Sequence, residues 1–342
     1  MRIDRLHGWL GAGLALAALL TLGCGGGAGE AGEGELSGSV QVDGSSTVYP
    51  ITEAVAEEFQ REHPRTRVTV GVSGTGGGFQ RFCSGETDVS DASREIKPSE
   101  AEACEANGVE YTEVRVAWDG MAVVVNPAND WVQCLTVDEL KRIWEPGSTV
   151  RRWSQVRQGF PDREIVLYGP GTDSGTFDYF TEAIVGEEDA SRADYTASED
   201  DNVLVQGVSG DPASLGYFGF AYYEENQGKL RALGVDGGAG CVQPTVETIE
   251  SGEYDPLSRP LYIYVSDRGL AKAQVREFVE FYLTEGSELV RAVGYVPLDP
   301  DQYQDELEKV RGLADGAPSA PRAPADTAGE VTDTAAEGDA TP

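Results

Sequence analysis

The chain is almost without histidine and short of positive charge. Two histidines occur in 342 residues, His7 and His63, and only five of its 26 cations are lysine. Against those 26 stand 59 acidic residues, giving a formal net charge of −33. Nucleic acid and an anionic membrane are therefore poor partners. An anionic ligand would also be repelled at long range, so a site for one must work through short-range hydrogen bonds. The five cysteines contain no CxxC pair, which with so little histidine argues against a zinc cluster or any other metal site. No apolar run is long enough to span a bilayer; LGAGLALAALLTLG, from Leu10, stops at Gly23. An acidic, lysine-poor surface suits high salt, and equally a strongly solvated surface. The length allows two domains with their own cores.

Residues 1–23 have the form of an export signal: Arg2 and Arg5, the apolar run, then a small residue before Cys24. LTLGC resembles a lipoprotein box, with Thr21 where leucine is usual, and implies a lipidated Cys24. Simple secretion competes with that expectation. The following GGGAGEAGEGELSG has tether composition, over residues 24–37. Cys83, Cys104, Cys134 and Cys241 then form an even set in an exported chain, which points to two disulfides with three connectivities. The preferred one joins Cys83 to Cys104 within a local unit and Cys134 to Cys241 across a long loop. Residues 313–342 lack aromatics and are expected to be a disordered acidic tail.

From about Leu36, short β-branched runs alternate with helical stretches. SVQVDG, RVTVGVSG and DVSDAS read as strands, while TEAVAEEFQREH, GGFQRFCSG and KPSEAEACEANG read as helices. This alternation predicts an α/β fold with a largely parallel sheet. EVRVAWDGMAVVVNP gives two apolar runs around a turn at Asp119-Gly120. In TVDELKRIWEPG, Thr136 and Glu139 have capping-box spacing. EIVLYG and RPLYIYVSD are apolar strands, and KAQVREFVEFYLTEGSELVRAVG supplies closing helices.

Three junctions concentrate glycine and hydroxyls between a strand and a helix: DGSSTVYPI from Asp43, GVSGTGGGFQRF from Gly71 and YGPGTDSGTFDYF from Tyr168. A helix start leaves backbone N–H groups without intrahelical partners and carries partial positive charge. Three such starts meeting at one point would form a cage of neutral donors for a tetrahedral oxyanion.

These runs, with SGETDVSDASREI, AWDGMAVVVNP and LTVDELKRIWEPG, resemble the periplasmic phosphate-binding protein of Pst-type ABC transporters from about Ser39 to Tyr295. The resemblance implies a two-lobed type II periplasmic binding fold, each lobe a sheet flanked by helices. Lobe 1 would be residues 38–125 plus 258–312 and lobe 2 residues 126–257, with hinge strands near Val123–Asn126 and Leu261–Val265. It implies capture of inorganic phosphate in the interlobe cleft, without catalysis or a cofactor, and delivery to a membrane permease. A monomer is expected, in the periplasm or on the outer face of the cytoplasmic membrane, held there by lipid.

Carried over by motif, Ser46 and Thr47 match the first helix-start contact and Thr75 the hydroxyl donor of the second. Ser174, Gly175 and Thr176 match the third. Charge placement departs from the family pattern. Where an Asp is usual after the second junction the chain has DASREI, and upstream of SGT it has Gly169 and Pro170 in place of Arg. Arg94 is the expected cation. A carboxylate that accepts a proton from phosphate would reject sulfate, which has none to give. Asp119 is favoured for it, ahead of Asp91 and Asp173. Sulfate, molybdate or another oxyanion is the alternative cargo, and a surface receptor or adhesin is another use of the fold. A hydrolase would need His63 to reach Ser174.

Overall fold

The computed structural model describes residues 36–172 and 174–314. The export signal, Cys24, nearly all of the tether, Asp173 and the tail after Ala314 lie outside the described residues.

The chain opens with β1 (Gly38–Gly44), α1 (Tyr49–Glu62), β2 (Thr66–Val72), α2 (Gly74–Cys83), β3 (Val89–Ala92), α3 (Pro98–Ala106) and β4 (Tyr111–Val125). The middle holds β5 (Cys134–Thr136), α4 (Val137–Trp144), α5 (Trp153–Val156), β6 (Val166–Gly169), α6 (Gly175–Phe180), β7 (Thr196–Ala197) and α7 (Asp201–Gly210). There follow β8 (Ser214–Gly219), α8 (Phe220–Glu225), β9 (Arg231–Ala232), β10 (Gly234–Asp236), β11 (Cys241–Val242) and α9 (Val246–Glu250). The chain returns through β12 (Ser258–Ser266), α10 (Asp267–Leu270), α11 (Ala273–Thr284), α12 (Gly286–Ala292), β13 (Val296–Pro297) and α13 (Pro300–Ala314).

The main sheet runs β2-β1-β3-β12-β4-β8-β6-β7, with β9 and β13 also on β4. It is mixed, not largely parallel. β1 pairs in parallel with β2 and β3, as β6 does with β7 and β8. The two central strands, β4 and β12, are antiparallel to each other and to all their neighbours.

β4 changes partner along its length. Tyr111–Gly120 pair with β12, and Met121–Val125 pair with β8. The expected turn at Asp119-Gly120 is therefore absent, and both residues lie inside one continuous strand. Gly120 is there for close packing: a methyl group on it would stand 2.6 Å from Ile249 Cδ1 of α9. The Met121 N–H donates to Leu257 O (3.0 Å) where β12 is about to begin. The change of partners thus falls upstream of Val123–Asn126 and of Leu261–Val265.

Most buried apolar side chains belong to one large core. α1 turns Ile51, Val55 and Phe59 inward at helical spacing, and Phe59 meets Phe278 of α11 edge-on at 5.4 Å. α13, which strand and helix patterning left unassigned, buries Tyr303, Leu307 and Val310. A smaller cluster of Phe79, Phe82, Tyr262 and Tyr264 surrounds the Cys83–Cys104 disulfide. Cys134–Cys241 ties β5 to β11 across β10, so both preferred pairings are present. Thr136 and Glu139 form the expected capping box on α4. Among the described residues no helix is long and apolar enough to cross a membrane.

Candidate functional site

The site is set by the carboxyl ends of three parallel strands. Register places Gly44 of β1 beside Val72 of β2 and Asp91 of β3, so the loops that follow leave the sheet at one level. Open α/β sheets bind ligands at such an edge. Ser45 N donates to Asp91 O (3.0 Å) and Ser73 N to Gly44 O (3.2 Å), lacing the loops together. Gly44 is required there: its φ is +151°, and a Cβ would stand 2.1 Å from Asp91 O.

At the first junction Ser46, Thr47 and Val48 form a turn before α1, and Thr47 N donates to Ser45 Oγ (3.2 Å). At the third, Ser174 caps α6 by accepting from Thr176 N (3.2 Å). α6 runs on into a π-helical turn, Thr181–Val185, which ends at Gly186. These two junctions touch. A methyl group on Gly175 would stand 3.1 Å from both the Cα and the Oγ1 of Thr47. Thr75, at the second junction, lies at the same sheet edge and shares a hydrogen bond with Ser93 Oγ (3.0 Å).

The cation that reaches Thr47 is Arg259, at the start of β12. Its Nη2 donates to Thr47 Oγ1 (3.0 Å) and its Nε to Asp119 Oδ2 (3.2 Å). Its guanidinium carbon lies 3.6 Å from the ring centre of Tyr179, and Nη1 is 3.9 Å from Glu182 Oε2. Arg94, the expected cation, forks onto Glu100 at 2.9 and 2.8 Å beside Gly76 of α2. Glu100 holds its guanidinium above the ordinary range, with a smaller contribution from Glu182. Glu182 therefore feels both arginines.

The carboxylates differ in their surroundings. Asp119 is buried, and burial pushes its carboxyl up although Arg259 opposes the shift. Asp91 turns toward α1, accepting from Thr52 Oγ1 (3.0 Å), and burial pushes it up to about 8. Asp178 of α6 accepts from Ser46 Oγ (3.3 Å). Burial, then Asp189 and Glu188, push its carboxyl up to about 6.

A cavity of about 580 Å³ opens beside this cluster, lined by Ser46, Asp119, Ser174, Gly175 and Thr176 together with Tyr49, Tyr222 and Tyr295. His63 lies at the far end of α1, its ring 4.6 Å from that of Phe59. Fourteen residues of helix put it about 20 Å from the Thr47 end. Among the described residues no group of three or more His, Cys, Asp or Glu could hold a metal ion.

A model of the PBP superfamily domain matches residues 29–285. Protein SphX of Synechocystis sp. is 55% identical over 275 residues, covering 79% of this chain and 81% of its own. The phosphate-binding protein PstS of Staphylococcus saprophyticus is 39% identical over 298 residues, 86% of this chain and 92% of its own. The chain belongs to the PstS and SphX family of the PBP superfamily. The crystal structure of a possible phosphate binding protein from Planctomyces limnophilus has a similar fold. Its TM-score is 0.78 and its identity 48%, covering 81% of this chain and 99% of that one. In this PstS and SphX family member the motifs led to the junctions but not to Arg259 or Asp178. Arg259 sits far along the chain in an apolar strand, where nothing local marks it out.

Proposed function

We propose that this protein is an extracytoplasmic receptor that captures inorganic phosphate and delivers it to an ABC permease. The observation that carries the proposal is the contact of Thr47 with Gly175, with Arg259 bonded to the Thr47 hydroxyl. Hydroxyls of Ser46, Thr47, Thr75, Ser174 and Thr176 and the N–H groups of the junctions would surround the ion. Arg259 and Arg94 would flank it, and Asp119 would hold Arg259 in place. Hydrogen bonds to a charged acceptor contribute about 1.5–3 kcal/mol each. Exclusion of water strengthens them, while stripping the ion's hydration offsets part of the gain. The names of the PstS and Planctomyces proteins support phosphate as the cargo.

The two lobes, residues 38–125 with 258–312 and residues 126–257, would close by bending where β4 changes partner. Export by residues 1–23, a lipid on Cys24 and a monomer on the outer face of the cytoplasmic membrane or in the periplasm complete the proposal. The ion would leave unchanged; the hydrolase alternative would need His63, which stands a helix length from Thr47.

The test is calorimetry on protein stripped of bound ligand. Phosphate should bind one to one, with sulfate and molybdate weaker by at least roughly tenfold, the worth of about one hydrogen bond. Tighter sulfate or molybdate would make this a receptor for another oxyanion, and turnover of a phosphate ester would make it a hydrolase.

A further inference from the structure

Ser46 and Asp178 together have a property that neither has alone. Ser46 lines the cavity with Ser174, Gly175 and Thr176. Its hydroxyl has one hydrogen and two lone pairs. An ionised Asp178 can only accept, so at 3.3 Å it takes that hydrogen and leaves the oxygen of Ser46 presenting lone pairs. Asp119, favoured for this role from the sequence, has its Oδ2 committed to Arg259, and Asp91 is turned toward Thr52.

Resting on the phosphate reading above, we propose that Ser46, with its hydrogen held by Asp178, is the acceptor that recognises the proton on phosphate and so excludes sulfate. The dianions of the two ligands carry the same charge, so long-range repulsion does not separate them. Hydrogen-bond direction does. Hydrogen phosphate donates its hydrogen to Ser46 Oγ, whereas whichever sulfate oxygen faces Ser46 has no hydrogen to give and meets a lone pair. Arg259 has the opposite effect on Thr47. By donating to Thr47 Oγ1 it turns that hydroxyl's hydrogen away from itself, free to donate to the ion.

Asp178 is surrounded by Asp189 and Glu188, with Tyr217 of β8 also within electrostatic reach. Burial first, then Asp189 and Glu188, with a side-chain hydrogen bond to Asp189 adding to the rise, push its carboxyl up to about 6, so it is ionised at neutral pH and takes up a proton in mild acid. A protonated Asp178 can donate to Ser46 and release the serine hydrogen toward the ligand. Discrimination should therefore weaken as pH falls through about 6.

The experiment compares phosphate and sulfate by calorimetry at pH 7.5 in ligand-stripped wild type, Asp178→Asn, Ser46→Ala and Asp119→Asn. In Asp178→Asn the new amide can donate to Ser46, so sulfate should gain affinity and the phosphate-to-sulfate ratio should fall by about tenfold or more. Ser46→Ala removes both the acceptor for phosphate and the clash with sulfate, so it should lower the ratio by weakening phosphate while sulfate holds or gains, which tests the proposal even if Asp178→Asn folds poorly. Asp119→Asn should weaken both anions with little change in ratio. An unchanged ratio in both Asp178→Asn and Ser46→Ala, while wild type binds phosphate, overturns the proposal. Wild type that does not bind phosphate overturns the functional reading beneath it.

Discussion

Arg259 is tied on four sides, and each tie constrains the guanidinium differently. Asp119 supplies the buried counter-charge, Thr47 an acceptor, Tyr179 a π face and Glu182 a second, looser carboxylate. The fork is planar and rigid, so these contacts fix its direction as well as its position. Because Asp119 is buried, removal of the arginine leaves an unpaired interior charge, a loss of about 3–5 kcal/mol when such pairs are broken. Arg259→Gln is therefore expected to bind phosphate at least about tenfold more weakly and also to melt lower. Calorimetry and thermal melts at pH 7.5 check both. Unchanged affinity with a lowered Tm would leave Arg259 a structural residue only. Adding Asp119→Asn should restore part of the stability and none of the affinity.

At the scale of elements, the proposed site rests on how closely the start of α1 approaches the start of α6. Glycine at 175 permits that approach. In Gly175→Ala the new methyl would meet the backbone Cα of Thr47 at 3.1 Å, which cannot swing aside as a side-chain tip can. The junctions must then part by a few tenths of an ångström. Phosphate affinity is expected to fall by roughly tenfold, with far-ultraviolet circular dichroism unchanged. Wild-type affinity in this variant would show that the contact is incidental. Such local features were readable in advance. Glycine and hydroxyls after a β-branched run mark a strand-to-helix junction wherever they occur, and the Thr136 capping box spans only four residues. What sequence could not supply was long-range pairing. Asp119-Gly120 has the composition of a hairpin turn, yet Gly120 answers to Ile249 of α9, 129 residues on. Arg259 has no neighbour in sequence that belongs to the site. Only the pairing of Arg259 with Asp119 across β12 and β4 brings it there.

Across the whole molecule, pH acts on stability through two opposed sets of carboxyl groups. Asp91 is wholly buried and its Oδ2 finds no partner, so burial raises it to about 8 from an ordinary 3.8. Between those values the folded state holds a proton that the unfolded chain has lost. Stability must then fall as pH rises across that window. Glu100 and Glu139 run the other way. Burial opposes their charge, but Arg94 and Arg157, aided by backbone N–H groups, hold both below the usual range. What they contribute is present above an unfolded pKa near 4.5 and is lost as pH falls further. A net charge of −33 adds self-repulsion that eases as carboxylates protonate. Stability should therefore peak in mild acid, between the two sets. Since 1 kcal/mol moves Tm by about 2–4 °C in domains of this class, the melt at pH 6 should exceed that at pH 8 by at least about 4 °C. Asp91→Asn cannot ionise and keeps an acceptor for Thr52, so it should narrow that gap by at least about 2 °C, mainly by raising the melt at pH 8. A gap of wild-type size in the variant would assign the pH dependence to surface charge alone.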